Sequence, residues 1–119
     1  MREADIQNEI RKAISPYGTY FRANVGQAWT GRDIRRIMDS IVIGEPRRFD
    51  TGLPKGFPDL FGFTDCGGVP VFTALEVKKP GGRVRAEQKH MIEFLRSRGA
   101  IAGVVHSVDE ALTLIRQRR

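Results

Sequence analysis

The sequence has very little cysteine and histidine, and it has no long apolar run. Cys66 is the one cysteine among 119 residues, so an intrachain disulfide is impossible, which agrees with a reducing cytoplasm. Neither of the two histidines has a Cys or His at metal-ligand spacing, which argues against structural zinc. No segment approaches the roughly 20 apolar residues that span a bilayer, and the amphipathic N-terminal segment lacks a signal-peptide core. We therefore expect a cytoplasmic protein with no membrane partner.

Positive charge is what the chain has in excess. Lys and Arg total 20 against 14 Asp and Glu, which gives a net charge of +6 and a pI near 10.1. Fifteen of the basic residues are Arg, whose planar fork of donors matches phosphate oxygens. An Arg-rich basic domain suggests a nucleic-acid partner, although an ordinary solvated surface would have the same composition.

The hydrophobic pattern predicts an α/β fold. It predicts helices at 3–15, at 84–98 and from Ser107 onward, and strands at 19–23, 59–63, 70–78 and 100–105. The order strand, helix, strand, helix over the last 50 residues indicates an α/β fold with some parallel pairing. Strands 59–63 and 70–78 would pair antiparallel, which predicts a mixed central β-sheet flanked by helices. We expect a single domain over residues 1–119. Residues 24–58 are rich in Gly, Pro and basic side chains and predict a basic, irregular excursion with room for a hairpin.

Three charged residues carry the strongest chemical signal. Glu76 and Lys78 lie two apart in a predicted strand and therefore share a face, and antiparallel pairing places Asp59 beside Glu76. Two carboxylates about 4 Å apart repel by roughly 4 kcal/mol at an effective dielectric of 20. Mg²⁺ or Mn²⁺ would relieve that repulsion. The alternative is an edge Glu–Lys pair with an unrelated turn Asp.

Two helical residues extend this candidate site. Gln88 lies on the apolar stripe of its helix, where a polar amide needs a partner; a helix-boundary Gln at the edge of the core is equally compatible with that spacing. Glu3 falls within the apolar arc of the first helix, whereas Glu9 falls about a quarter turn away. Glu3 is either a further metal ligand or a first-turn acid that interacts with the helix dipole.

The ordered set Asp59, Glu76-Val77-Lys78 and Gln88 resembles the PD-(D/E)XK nuclease superfamily. Within it, the chain is most similar to the small stand-alone phage and bacterial form of the VRR-NUC family, through residues 52–60, 76–78 and 82–88. The resemblance implies a restriction-endonuclease-like core and a metal-dependent DNA endonuclease. It also implies the location, a bacterial or phage-infected cell.

The resemblance assigns roles to these residues. It makes Asp59, Glu76 and the Val77 carbonyl ligands of Mg²⁺ or Mn²⁺, Lys78 the catalytic lysine, and Gln88 the helix glutamine of the site. The N-terminal helix glutamate of the family best matches Glu3, with Glu9 as the alternative.

The resemblance further implies a homodimer that acts on branched DNA such as Holliday junctions. Basic residues that flank the site in sequence are then expected to hold the phosphate backbone; these are Arg32, Arg35, Arg36, Arg47, Arg48, Lys55, Lys79, Arg83 and Arg85. Two other functions stay open, a non-catalytic nucleic-acid-binding module on the same fold and an interaction protein for an acidic partner.

Overall fold

The computed structural model describes residues 1–24 and 26–117. Val25, Arg118 and Arg119, which belong to the range predicted as one domain, lie outside the described residues. The chain divides into two compact units, Met1–Ala23 with Gly56–Arg119 and the intervening Asn24–Lys55. No helix of the described residues is long and apolar enough to cross a membrane.

The first unit contains three helices and four strands in an α/β arrangement. The helices are α1 (Glu3–Ile14), α2 (Ala86–Ser97) and α3 (Val108–Arg116), and a short 3₁₀ turn, Ser15–Tyr17, follows α1. The strands of this unit are β1 (Gly18–Arg22), β4 (Leu60–Cys66), β5 (Val69–Val77) and β6 (Ile101–Val105). The boundaries of these strands lie within two residues of their predicted positions, except that β4 ends three residues later than predicted.

The four strands form one mixed sheet in the order β1-β4-β5-β6. The β1–β4 and β4–β5 pairs are antiparallel, and the β5–β6 pair is parallel. Helix α2 makes the crossover between β5 and β6, because parallel neighbours cannot be joined by a tight turn. The mixed sheet predicted from the sequence is confirmed.

One face of this sheet is buried under α1 and α3. Ile6, Ile10 and Ile14 recur at helical spacing and pack on a core cluster that includes Leu75 and Val77. Residues of odd number in β5 therefore point toward this core, and residues of even number point to the opposite face. This alternation places Glu76 on the face away from α1 and α3.

The second unit is a two-stranded hairpin, for which the predicted excursion left room, and its irregularity is limited to register shifts within the paired strands. Strands β2 (Gln27–Ile37) and β3 (Ser40–Asp50) pair antiparallel, with register shifts between Thr30 and Arg35. None of the described residues in this unit is fully buried. The compact unit ends at Lys55, three residues before the predicted end of the excursion. The Gly and Pro residues suggested irregularity, but bulges accommodate the glycines within paired strands.

Candidate active site

Asp59 is held at the start of β4 by its backbone and its side chain. Its carbonyl accepts a hydrogen bond from the Ala23 amide at 2.8 Å, which extends the β1–β4 ladder by one position. Its Oδ2 accepts a hydrogen bond from the backbone amide of Val77 at 3.0 Å. Asp59 is thereby fixed beside the end of β5, as the antiparallel register predicted.

Gly56 sets the approach of this segment to helix α2. Gly56 is buried and has a φ of +86°, a conformation that favours glycine. A Cβ at this position would lie 2.6 Å from the Glu87 carbonyl oxygen. Any side chain would therefore force the turn away from α2, so glycine is required for the close approach that precedes Asp59.

Glu76 is a buried acidic side chain within β5. Its side chain is only 3% exposed, and its buried Oε1 accepts no hydrogen bond from the described residues. Burial, then repulsion by the Asp59 carboxylate and a hydrogen bond shared with it, raise the pKa of Glu76 to about 8, although the Lys78 ammonium partly opposes this shift. A buried acid with an unsatisfied oxygen is costly unless a proton or a cation compensates it.

Lys78 and Gln88 converge on the other oxygen of that carboxylate. The Lys78 ammonium, whose side chain is 13% exposed, lies 3.7 Å from Glu76 Oε2. Gln88 Nε2 donates to the same oxygen at 3.1 Å, and Gln88 Oε1 accepts from the Arg85 amide at 2.9 Å. Gln88 is therefore both the acceptor that caps the N-terminus of α2 and a direct partner of Glu76.

Glu3 and Glu9 occupy different surroundings. Glu3 is half-buried, and its Oε2 lies 3.5 Å from the point where a Cβ on Gly82 would stand; Lys78 Cβ lies 3.4 Å from that point. Glu3 thus borders the loop that follows the Glu-Val-Lys strand. Glu9 is exposed and lines a cavity of about 430 Å³ together with His106.

The donor set fits a hard divalent cation, though only in part. No three His, Cys, Asp or Glu side chains within residues 1–24 and 26–117 form a group able to hold a metal by themselves. The structure brings together Asp59 and Glu76 but does not gather Glu3 into a three-carboxylate group with them. The unpartnered Glu76 Oε1 is nevertheless an oxygen ligand that a cation would satisfy. Mg²⁺ commonly binds through one or two carboxylates and fills its other positions with water or phosphate.

The predicted DNA-binding residues fall in both units. Lys79, Arg83 and Arg85 lie exposed between β5 and α2, and Arg85 also forms an ion pair with Glu87 at 3.3 Å. The hairpin unit carries the remaining six, which are Arg32, Arg35, Arg36, Arg47, Arg48 and Lys55. Arg32 lies 3.5 Å from Glu45, and the Arg48 guanidinium lies 5.6 Å from the centre of the Trp29 ring.

Sequence reasoning missed the phenylalanines that share the sheet face of Glu76. Phe61 pairs with Ala74 and Phe63 pairs with Phe72 across β4 and β5, and paired residues point to the same side. The alternation itself was a usable signal, because Phe72 is four residues from Glu76 and Phe61 is two residues from Asp59.

The family model described as VRR-NUC domain matches residues 1–109, which include every strand, helices α1 and α2, and all the candidate site residues. A search of curated proteins gave no match.

Proposed function

The chain belongs to the VRR-NUC domain family and is a nuclease-type DNA-processing protein, and from this premise we propose that it is a divalent-metal-dependent, structure-selective DNA endonuclease. It hydrolyses phosphodiester bonds, and its substrate is branched DNA such as a Holliday junction. We further propose that it acts as a homodimer, because paired cuts across a junction need two active sites related by symmetry.

One observation carries the proposal. Glu76 Oε1 is buried and accepts no hydrogen bond from the described residues, and burial together with the neighbouring Asp59 carboxylate raises the pKa of Glu76. Such a strained pair is expensive in a purely structural role and is common in sites that bind metal or move protons. Asp59, Glu76, the Val77 carbonyl and Glu3 are the oxygen groups that we propose as ligands of Mg²⁺ or Mn²⁺.

The bound cation would polarise the scissile phosphate and supply a nucleophilic water at neutral pH. Lys78 is proposed as the catalytic lysine, because its ammonium reaches the Glu76 carboxylate and is well placed to stabilise negative charge that develops on the phosphate. Gln88 is proposed to hold Glu76 Oε2, which would leave Oε1 available as a ligand for the cation. The basic side chains of both units are proposed to bind the phosphate backbone without reading sequence.

The alternative is a nucleic-acid-binding module without catalysis on the same fold. Such a module would bind DNA with an affinity that depends on salt, and it would not cleave DNA with any metal. The intact Asp59, Glu76 and Lys78 set favours the nuclease, because a pure binding role would not require two carboxylates beside a negatively charged ligand.

The test is cleavage of a labelled four-way junction, beside linear duplex and flap substrates, with Mg²⁺, Mn²⁺ or EDTA. We expect paired symmetric nicks in the junction that EDTA abolishes. Cleavage of the flap substrate alone would support the proposed nuclease activity but would show that the four-way junction is not its substrate. Binding of the junction by folded protein without cleavage under either metal would overturn the proposal in favour of the binding module.

Lys78→Ala tests the mechanism in the same assay. We expect this variant to lose cleavage while it stays folded and still binds the junction. Lys89→Ala is the matched control, because it removes one exposed lysine of α2 outside the site. Equal cleavage by Lys78→Ala and Lys89→Ala would refute the assigned role of Lys78.

A further inference from the structure

The sheet face that carries Glu76, against which α2 packs at β5 and β6, also carries a row of phenylalanines. Phe21 on β1 pairs with Phe61 on β4, and Phe63 on β4 pairs with Phe72 on β5. Directly paired residues project to the same side, so these four rings form one aromatic face. We call Phe21, Phe61, Phe63 and Phe72 the phenylalanine face.

This face is exposed although it consists of large apolar rings. Phe21 is 53% exposed, Phe72 is 41% exposed and Phe63 is 36% exposed. The ring of Phe61 contacts Phe21 at a centroid distance of 5.9 Å and Phe57 at 5.6 Å. The rings therefore support one another from the side and leave their outer surfaces accessible, as a stacking surface requires.

The phenylalanine face lies on the same face of the sheet as the candidate active site, and the buried Ala74 separates Phe72 from Glu76 along β5. Strand alternation places Phe72, Ala74 and Glu76 on one side of β5, and Asp59 precedes Phe61 by two residues on the same side of β4. Phe61 and Phe72 thus lie about 7 Å and about 13 Å along their strands from the two carboxylates. At about 3.4 Å per stacked nucleotide, these lengths correspond to roughly two and four nucleotides.

We propose that the phenylalanine face binds unpaired bases of the DNA strand that is cut, within a few nucleotides of the scissile phosphate. This inference rests on the proposed nuclease function, because that function brings a phosphate to Asp59 and Glu76. Exposed aromatic rings beside a backbone-binding site are the means by which proteins bind single-stranded DNA, and base–aromatic stacking tolerates any sequence. Paired bases are already stacked within the duplex, so the face favours branch points, where bases come unpaired.

A fork with an unpaired arm is the direct test. The arm carries 2-aminopurine, whose fluorescence falls when it stacks, at one to four nucleotides from the fork, and binding is measured in EDTA so that cleavage does not interfere. We expect wild-type protein to quench the probe. We expect Phe21→Leu with Phe72→Leu to remove that quenching and to weaken fork binding by about fivefold or more. Binding to the same DNA with a fully paired arm should change by less than twofold.

Two further variants separate stacking from simple apolar contact. Phe72→Trp keeps an aromatic surface and should retain the quenching. Phe94→Leu is the matched control, because Phe94 is 55% exposed on α2 and its ring meets Arg98 instead of the sheet. It should bind the fork like wild type. Because all these rings are exposed, circular dichroism should report folded protein in every case.

Distinct outcomes would overturn the inference. Unchanged quenching in the double Leu variant would do so, as would equal weakening on the fork and on the paired DNA. A third outcome combines two results: wild-type protein does not quench the probe, and it sediments as a dimer that dissociates in the double variant Phe21→Ser with Phe72→Ser. That outcome would make the phenylalanine face an interface between copies of the chain. Quenching without cleavage under any metal would instead reject the nuclease and retain the base-binding face.

Discussion

Gln88 Nε2 donates a hydrogen bond to Glu76 Oε2 over 3.1 Å, between two side chains that are both almost completely buried. The same amide accepts from the Arg85 backbone through Oε1. The bond thus joins the N-terminus of α2 to the charged position in β5. It also leaves the second carboxylate oxygen, Oε1, as the unpaired one.

Replacement of Gln88 should separate helix capping from the contact with Glu76. Gln88→Leu loses both bonds, so we expect about 1–3 kcal/mol of destabilisation in urea unfolding and slower cleavage. Gln88→Glu keeps an acceptor for the Arg85 amide but loses the donor to Glu76. If only capping matters, Gln88→Glu should match wild type in cleavage. We expect the cleavage rate of Gln88→Glu to fall to that of Gln88→Leu.

The raised pKa of Glu76 predicts how metal-free protein responds to pH. In the unfolded chain Glu76 ionises near 4.5, whereas in the folded protein its pKa is about 8. The folded state therefore holds a proton that the unfolded state has released between these values, and stability should fall as pH rises through this window. The free energy of unfolding should fall by at most about 1.4 kcal/mol per pH unit.

Urea unfolding in EDTA at pH 5, 6, 7 and 8 measures this dependence. Glu76→Gln should flatten the decline, and Glu93→Gln, which replaces an exposed acid of α2, should retain it. Saturating Mg²⁺ should raise the stability of wild type most at pH 8, where a cation replaces the missing proton. If the stability of Glu76→Gln declined with pH as steeply as that of wild type, the decline would belong to another ionisable group.

The two glutamates of α1 should differ in their effect on metal dependence. Glu3→Gln should raise the Mg²⁺ concentration for half-maximal cleavage by about tenfold, because its carboxylate borders the loop after β5. Glu9→Gln should leave that concentration unchanged, since Glu9 is exposed and lines a cavity with Pro80 and His106 that does not include Asp59, Glu76 or Lys78. Cleavage of the junction measured over a range of Mg²⁺ concentrations distinguishes the two variants. A weaker response to Mg²⁺ in Glu9→Gln alone would make Glu9, and not Glu3, the metal ligand of α1.

Arginines of the hairpin unit should contribute to DNA affinity through the phosphate backbone. Arg36→Gln and Arg47→Gln should each reduce the slope of log affinity against log salt by about one, with similar weakening on every DNA sequence. Lys12→Gln, an exposed change on α1, is the control and should leave the slope unchanged. Equal slopes for all three variants would show that the hairpin does not bind phosphate.

Local pattern was sufficient to predict the α/β fold. Ile6, Ile10 and Ile14 indicate a helix because their 3.6-residue spacing matches one buried stripe. The apolar run before Glu76 indicates a central strand, and period two places Lys78 on the same face. The hairpin was harder to predict, because its glycines and prolines resemble loop residues and two register shifts interrupt the alternation of its strands.

The sequence by itself determined the periodic elements, the shared face of Glu76 and Lys78, and the family. Tertiary structure decided that Glu76 keeps one oxygen unpaired, that Gln88 bonds the other, and that four phenylalanines from three strands form one face beside Asp59. The physical reason is that periodicity fixes which way a side chain points within its own element. Its solvation, its pKa and its partners depend on groups that only strand register and helix packing bring within a few ångströms.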